Sequence, residues 1–291
     1  MKKLLSMSGG GTKIAGIIGA VRRILRDNNF STIVGVSAGA IMTPLVAAEQ
    51  LGFNGIETAK SFVLKDLKPE SFLSYNPKGR FFPLSFKALR QLLTGAQGLA
   101  TMQPLADRLS LTLTPIWDSL QVGPDMYAAA VDIHTGERVI QHLNPMSLDQ
   151  AINAIVASAS IPVFTVPIGN LLDGGIRDHS AAKPLILGHD EVHSVFTRPQ
   201  EGPKFLPLEK PDMVRILMRT IDIMSAEISL SDESSERSAC DVLGMPYTAY
   251  YMPQIMQSVY DTDPYRLMAL EASAYTMADK TIVAKNNTIK L

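Results

Sequence analysis

The sequence predicts an α/β protein with a mostly parallel sheet, and two stretches near its start carry that prediction. Lys3 to Ser8 reads as a short strand that ends in Gly9-Gly10-Gly11. Apolar residues then recur at Ile14, Ile17, Ile18, Val21, Ile24 and Leu25, the spacing of a helix with one buried face. Asp27-Asn28-Asn29 breaks that helix. A β-branched run (Thr32, Ile33, Val34, Val36) follows, meets Gly35-Val36-Ser37-Ala38-Gly39 and turns helical as far as Glu49. Strand, helix, strand and helix in such quick succession is the opening of a parallel sheet. With 291 residues and 46% hydrophobic content the chain can bury a large core. Residues 1–291 are therefore read as one domain, with a cap-like insertion at about 51–121.

Composition excludes several function classes. A net charge of -1 and a pI near 6.5 give no global attraction for nucleic acid. Cys240 is the only cysteine, so there is no internal disulfide framework, and a reducing compartment, by default the cytoplasm, is expected. The start, MKKLLSMSGGG, is too short in apolar residues for a signal peptide, and no uninterrupted apolar run reaches about 18 residues. A peripheral position on a membrane remains open, and oligomeric state is not legible.

Along the chain, Pro44 falls inside the helix after Ser37 and should bend or loosen one turn. From Leu51 to Gln121 five prolines punctuate short helical pieces. Between Ser71 and Ala106 there is no acidic residue, while Lys78, Arg80, Lys87 and Arg90 lie among Phe72, Tyr75, Phe81, Phe82 and Phe86. Such interleaving suits contact with an anionic lipid surface, and equally a cap that packs its rings inward. Met126 to Val131 and Arg138 to His142 form a hairpin. Ser147-Leu148-Asp149-Gln150 is a capping box that opens a helix, which Pro162 stops. Ser158, Ala159 and Ser160 keep the end of that helix slim. Leu171-Leu172 leads into Asp173-Gly174-Gly175, a carboxylate at a strand end. Further elements are a strand at Val192 to Thr197, an amphipathic helix at Met213 to Ile228, a solvated loop at Ser229 to Ser238, a strand at Tyr247 to Met252 and a closing helix at Pro264 to Ala278.

The chemistry centres on Ser37. A serine held at a sharp strand-to-helix turn has its hydroxyl pushed out of the fold, and Gly35 and Gly39 let neighbouring backbone approach. The first amides of the new helix favour negative charge there. The Gly9-Gly10-Gly11 loop should end beside the same strand, so its amides can converge above Ser37 as an oxyanion site. A base is harder to choose. His134, His142, His179, His189 and His193 have no distinctive setting, whereas Asp173 has room made by Gly174 and Gly175. His189-Asp190-Glu191-Val192-His193 mimics a zinc helix, but in a strand its imidazoles would stand about 13 Å apart, too far for one metal. No metal or cofactor site is expected. The glycine loop is neither a dinucleotide fingerprint, since Ile14 replaces the third glycine, nor a P-loop.

In order, Gly9-Gly10-Gly11-Thr12-Lys13, Gly35-Val36-Ser37-Ala38-Gly39, Thr135-Gly136-Glu137, Ala157 to Pro162 and Asp173-Gly174-Gly175 resemble the patatin-like phospholipase family. The resemblance implies a three-layer α/β/α fold and a catalytic dyad of Ser37 and Asp173. It also implies an oxyanion hole from the glycine loop, with Gly10 and Gly11 the principal donors, and cleavage of acyl esters of phospholipids or related lipids without a metal. Lys13, Gly35, Gly39, Gly174 and Gly175 would support the motif. Ile14 departs from the family pattern, which has glycine after the basic residue. Other readings are a soluble esterase, thioesterase or acyltransferase with the same dyad, and a lipid- or effector-binding protein without turnover.

Overall fold

Seven strands form one mixed sheet in the computed structural model, which describes residues 1–65, 74–75, 98, 100–208, 213–256 and 261–288. In chain order the elements are β1 (Lys3–Met7), α1 (Ile14–Ile24), β2 (Thr32–Val36), α2 (Ala38–Gln50) and α3 (Gly55–Lys60). A separate two-strand ladder joins β3 (Ser74–Tyr75) to β4 (Ala100–Thr101). Next come α4 (Gln103–Leu113), α5 (Trp117–Gln121), β5 (Asp125–Asp132), β6 (Arg138–His142), α6 (Leu148–Ser158) and β7 (Leu171–Asp173). The chain closes with β8 (Glu191–Val195), α7 (Met213–Leu243), β9 (Tyr247–Tyr250) and α8 (Pro264–Thr288).

The sheet order is β6-β5-β2-β1-β8-β9, with β7 also on β5. The β1–β2, β1–β8, β2–β5 and β8–β9 pairs are parallel, and only β6 and β7 run antiparallel to β5. Alternation along the strands divides the core between two faces. Leu5, Met7 and Ile33 point into a cluster with α1, α2, α6 and α8, whereas Leu4, Val34, Val36 and Val192 meet Ala181, Ala182, Ile186 and Cys240. Helices thus cover both faces of a mostly parallel sheet, as expected. Leu105, Leu109, Leu113, Trp117 and Leu120 of α4 and α5 belong to the first cluster, so the later part of the 51–121 stretch contributes to the main core. Ile14 is also buried there.

One close approach and one cap fix helices of the outer layer. Gly19 of α1 lies where a Cβ would come within 2.0 Å of the Glu271 carbonyl oxygen, so only glycine admits α8 this closely. The capping box at Ser147 forms as expected, with Ser147 Oγ accepting from the Gln150 amide and the Gln150 side chain accepting from the Ser147 amide.

One segment differs plainly from expectation. Ser229 to Ser238 is helical, the continuation of α7, not a solvated loop. Its polar residues are used inward: Ser229 and Glu236 are buried, and Arg198 donates to both Ser229 Oγ and Glu233. The closing helix also runs past Ala278 to Thr288. His193 lies in β8, its Nδ1 bonded to Tyr250 Oη at 2.9 Å and its Nε2 paired with Glu191 at 3.0 Å. His189 reaches Thr32 Oγ1 at 2.8 Å instead, and among the described residues no cluster of His, Cys, Asp and Glu is arranged to hold a metal. Lys78, Arg80, Phe81, Phe82, Lys87 and Arg90, expected at a lipid surface, lie outside the described residues. No helix among those described is long and apolar enough to cross a membrane.

Candidate active site

Ser37 stands between β2 and α2 with φ 53° and ψ -117°, a left-handed conformation for a residue with a Cβ. Such backbone costs roughly 1–3 kcal/mol and persists only where the surroundings enforce it. They do so here. A Cβ on Gly35 would come within 2.1 Å of Gly39 carbonyl carbon, and one on Gly39 within 2.1 Å of Met7 carbonyl oxygen. Ser158 Oγ accepts from the Ser37 amide at 3.0 Å while donating to Ala129 carbonyl oxygen at 2.5 Å, tying the turn to the end of α6 and to β5.

Strand pairing brings Asp173 to Ser37. Val36 is opposite Ala129 of β5, and Asp173 is opposite the next residue, Ala130. Because β6 already occupies the other edge of Ala130, β7 takes up the edge that β2 leaves at the Ser37 turn, the nucleophile elbow. Gly174 makes the approach possible, since a Cβ there would come within 2.3 Å of the Ala129 carbonyl oxygen. The Asp173 carboxyl lies beside the Ser37 hydroxyl, close enough for that hydroxyl to favour its ionised form, and its Oδ1 accepts the Gly175 amide at 2.7 Å. Burial pushes the Asp173 carboxyl up to about 6, against the pull of the Ser37 hydroxyl and the Gly175 amide. It is therefore mostly ionised at neutral pH and a far stronger base than a free aspartate near 3.9.

The glycine loop runs beside this pair. The Gly9 amide donates to His179 carbonyl oxygen at 3.2 Å, and Thr197 Oγ1 donates to the Gly9 carbonyl. Gly10 packs on Thr197, where a Cβ would come within 2.5 Å of Oγ1. Gly11 adopts φ 53° and opens a short 3₁₀ turn, so its amide belongs to the uncommitted donors of a helix start. Lys13 closes that turn and lines a cavity of about 40 Å³ with Gly10, His179, Arg198, Phe205 and Asp222. Burial holds the Lys13 ammonium below its usual range, against the attraction of Asp222.

His179 was not separated from the other histidines by its sequence context, yet it alone of the five lies at this site. A Cβ on Gly9 would be 3.4 Å from its Cε1 and 3.3 Å from Ser37 Cβ. One on Gly175 would be 3.7 Å from its Nε2 and 3.0 Å from Asp173 Oδ1. His134 is exposed in the hairpin turn, and His142 pairs with Asp125 at the surface. Burial, helped by Lys13 and Arg198, lowers the His179 imidazole to about 4, which keeps it neutral.

The family model for patatin-like phospholipases matches residues 5–186, more than half of the chain. The chain belongs to the patatin-like phospholipase family. Its family span contains the Ser37 turn, the glycine loop, Asp173 and His179, whereas Thr197, which donates to the Gly9 carbonyl, and Asp232, which accepts the His179 amide, lie beyond it. Among solved structures, VipD from Legionella pneumophila is similar, at 14% identity and a TM-score of 0.46, over 97% of this chain and 67% of that one. No curated protein matches the chain by sequence.

Proposed function

We propose that this patatin-like protein is a serine hydrolase of lipid acyl esters, acting through Ser37 and Asp173 on phospholipids or related lipids. The observation that carries the reading is the strained Ser37 turn with its hydroxyl beside a buried carboxylate. As Ser37 Oγ attacks the acyl carbonyl, Asp173 takes the hydroxyl proton. The amides of Gly10 and Gly11, with the N-terminal end of α2, stabilise the tetrahedral oxyanion. Asp173 then gives the proton to the departing alcohol, leaving an ester on Ser37. In the second half Asp173 takes a proton from water as the water attacks that ester, and returns it to Ser37 Oγ as the fatty acid leaves. Gly9, with its amide bonded to His179, shapes the loop, and Lys13 holds the start of α1 beside it.

The test has two arms. A fluorophosphonate should label wild-type Ser37 but not Ser37→Ala, and Asp173→Asn should lower turnover by at least about 100-fold. Absence of label would remove the serine mechanism and favour a binding protein. In the second arm, fatty-acid release from phospholipid vesicles is compared with hydrolysis of a short soluble ester. Turnover of the soluble ester alone would keep the dyad but overturn the lipid substrate. Neutralising Lys78, Arg80, Lys87 and Arg90 together should weaken only the vesicle reaction, and more so at low salt. Equal loss on both substrates would give that segment a structural role.

A further inference from the structure

His179 is nine-tenths buried, and among the described residues its Nδ1 has no hydrogen-bond partner. Buried polar atoms are nearly always paired, so an orphan beside a reaction centre marks a place for a group that arrives during the reaction. The position of the ring is over-determined. Its own carbonyl accepts the Gly9 amide, while Asp232 Oδ2 of α7 accepts both the His179 amide at 2.6 Å and the Ser180 amide at 2.9 Å. The Nε2 and Cδ2 edge faces Gly175 and Asp173, and the Cε1 and Nδ1 edge faces Gly9 and, across it, Ser37. The side chain that Gly9 lacks would stand between the imidazole and Ser37. The ring also lines, with Gly10 and Lys13, the small cavity behind the glycine loop, which neither Ser37 nor Asp173 lines. At about 40 Å³ that cavity is large enough for a water.

On the reading that Ser37 and Asp173 form the dyad, we infer that His179 holds the hydrolytic water through Nδ1 during release of the acyl group. The first half-reaction needs no water, because Ser37 is the nucleophile and Asp173 its base. The second needs an oxygen aimed at the acyl carbon while one of its protons goes to Asp173. A single fixed hydrogen bond from a neutral imidazole orients that oxygen and keeps no proton, so Asp173 remains the only group that is charged and discharged. Lys13 and Arg198, the cations facing the ring, favour the neutral form that this role requires.

The experiment separates the two half-reactions with a p-nitrophenyl ester, by stopped-flow for acylation and by steady-state turnover and intact mass for deacylation. His179→Phe keeps a ring but no nitrogen. It should slow deacylation by about 10- to 100-fold, the value of one well-placed hydrogen bond, with acylation and fluorophosphonate labelling nearly unchanged and acyl-Ser37 accumulating. His179→Asn puts a polar atom near the place of Nδ1 and should restore part of the deacylation rate, whereas His179→Gln, which reaches toward Nε2, should not. If the Phe variant fails to fold, the Asn and Gln pair decides the matter. Equal slowing of both steps, unchanged deacylation, or better rescue by Gln than by Asn would overturn the role of Nδ1. An unlabelled wild-type Ser37 would remove the dyad and this inference together, whereas a labelled Ser37 with normal deacylation in the variants would remove only the inference.

Discussion

Replacing Asp173 by asparagine should inactivate the enzyme and, above neutral pH, make it more stable. Burial carries the Asp173 carboxyl to about 6 in the folded chain, against about 3.9 when unfolded. Below about pH 4 both states hold the proton and the group contributes nothing. Between about 4 and 6 the folded state keeps a proton that the unfolded state has released, so stability is lost as pH rises. Above about 6 both are ionised and the full penalty, roughly 3 kcal/mol, is in place. Asparagine removes it while keeping an oxygen for the Gly175 amide and a donor for Ser37 Oγ, at some loss in geometry. The expected net gain is about 1–2 kcal/mol at pH 8, falling to nothing or a small deficit near pH 4. Denaturant unfolding of both proteins across pH 4 to 8 measures this, because Asp222, Asp232 and Glu236, also raised by burial, are present in both and cancel in the difference. In the same window, wild-type turnover should rise with pH and level off above about 6. An Asn variant less stable than wild type at pH 8, or a difference that does not change with pH, would refute a buried, pKa-raised Asp173.

Ser37→Gly should be about 1 kcal/mol more stable than Ser37→Ala in thermal unfolding, because φ 53° strains any residue with a Cβ, while both are inactive. Equal stability would mean the turn is relaxed. Glu236 accepts from Ser180 Oγ, the Ala182 amide, Ser194 Oγ and Tyr247 Oη, so Glu236→Ala should cost about 3–5 kcal/mol and Glu236→Gln much less; similar losses would show that the four donors need a carboxylate that an amide of the same size cannot replace. Gly19→Ala should cost at least about 2 kcal/mol of unfolding free energy, read as a lowered denaturant midpoint, by forcing α8 from α1, without changing fluorophosphonate labelling per folded molecule. A normal midpoint would mean that the two helices are free to separate.

What was legible in the sequence was written in neighbouring residues. The opening strands and helices follow from local apolar period, the elbow from two glycines around one serine, and the Asp173 turn from the glycines that let β7 lie against β5. What was not legible depends on approach between distant parts. His179 looks like any loop histidine until parallel pairing of β1 with β2 brings Gly9 to Ser37, and antiparallel pairing of β7 with β5 brings Gly175 beside the same ring. The misread end of α7 shows a different cause. Ser229, Asp232, Glu233, Glu236 and Cys240 recur at helical spacing, but most are polar, and a search for apolar period passes over them. They are nevertheless an inward face, because the surface they meet is itself polar: Arg198 and the amides of His179, Ser180 and Ala182. The segment that looked like a solvated loop is therefore what holds His179 beside Ser37 and Asp173. Asp232→Ala, which frees the His179 and Ser180 amides, should impair deacylation in the same sense as loss of the imidazole, though less severely. A selective loss of acylation in that variant would break the link between α7 and the water-holding ring.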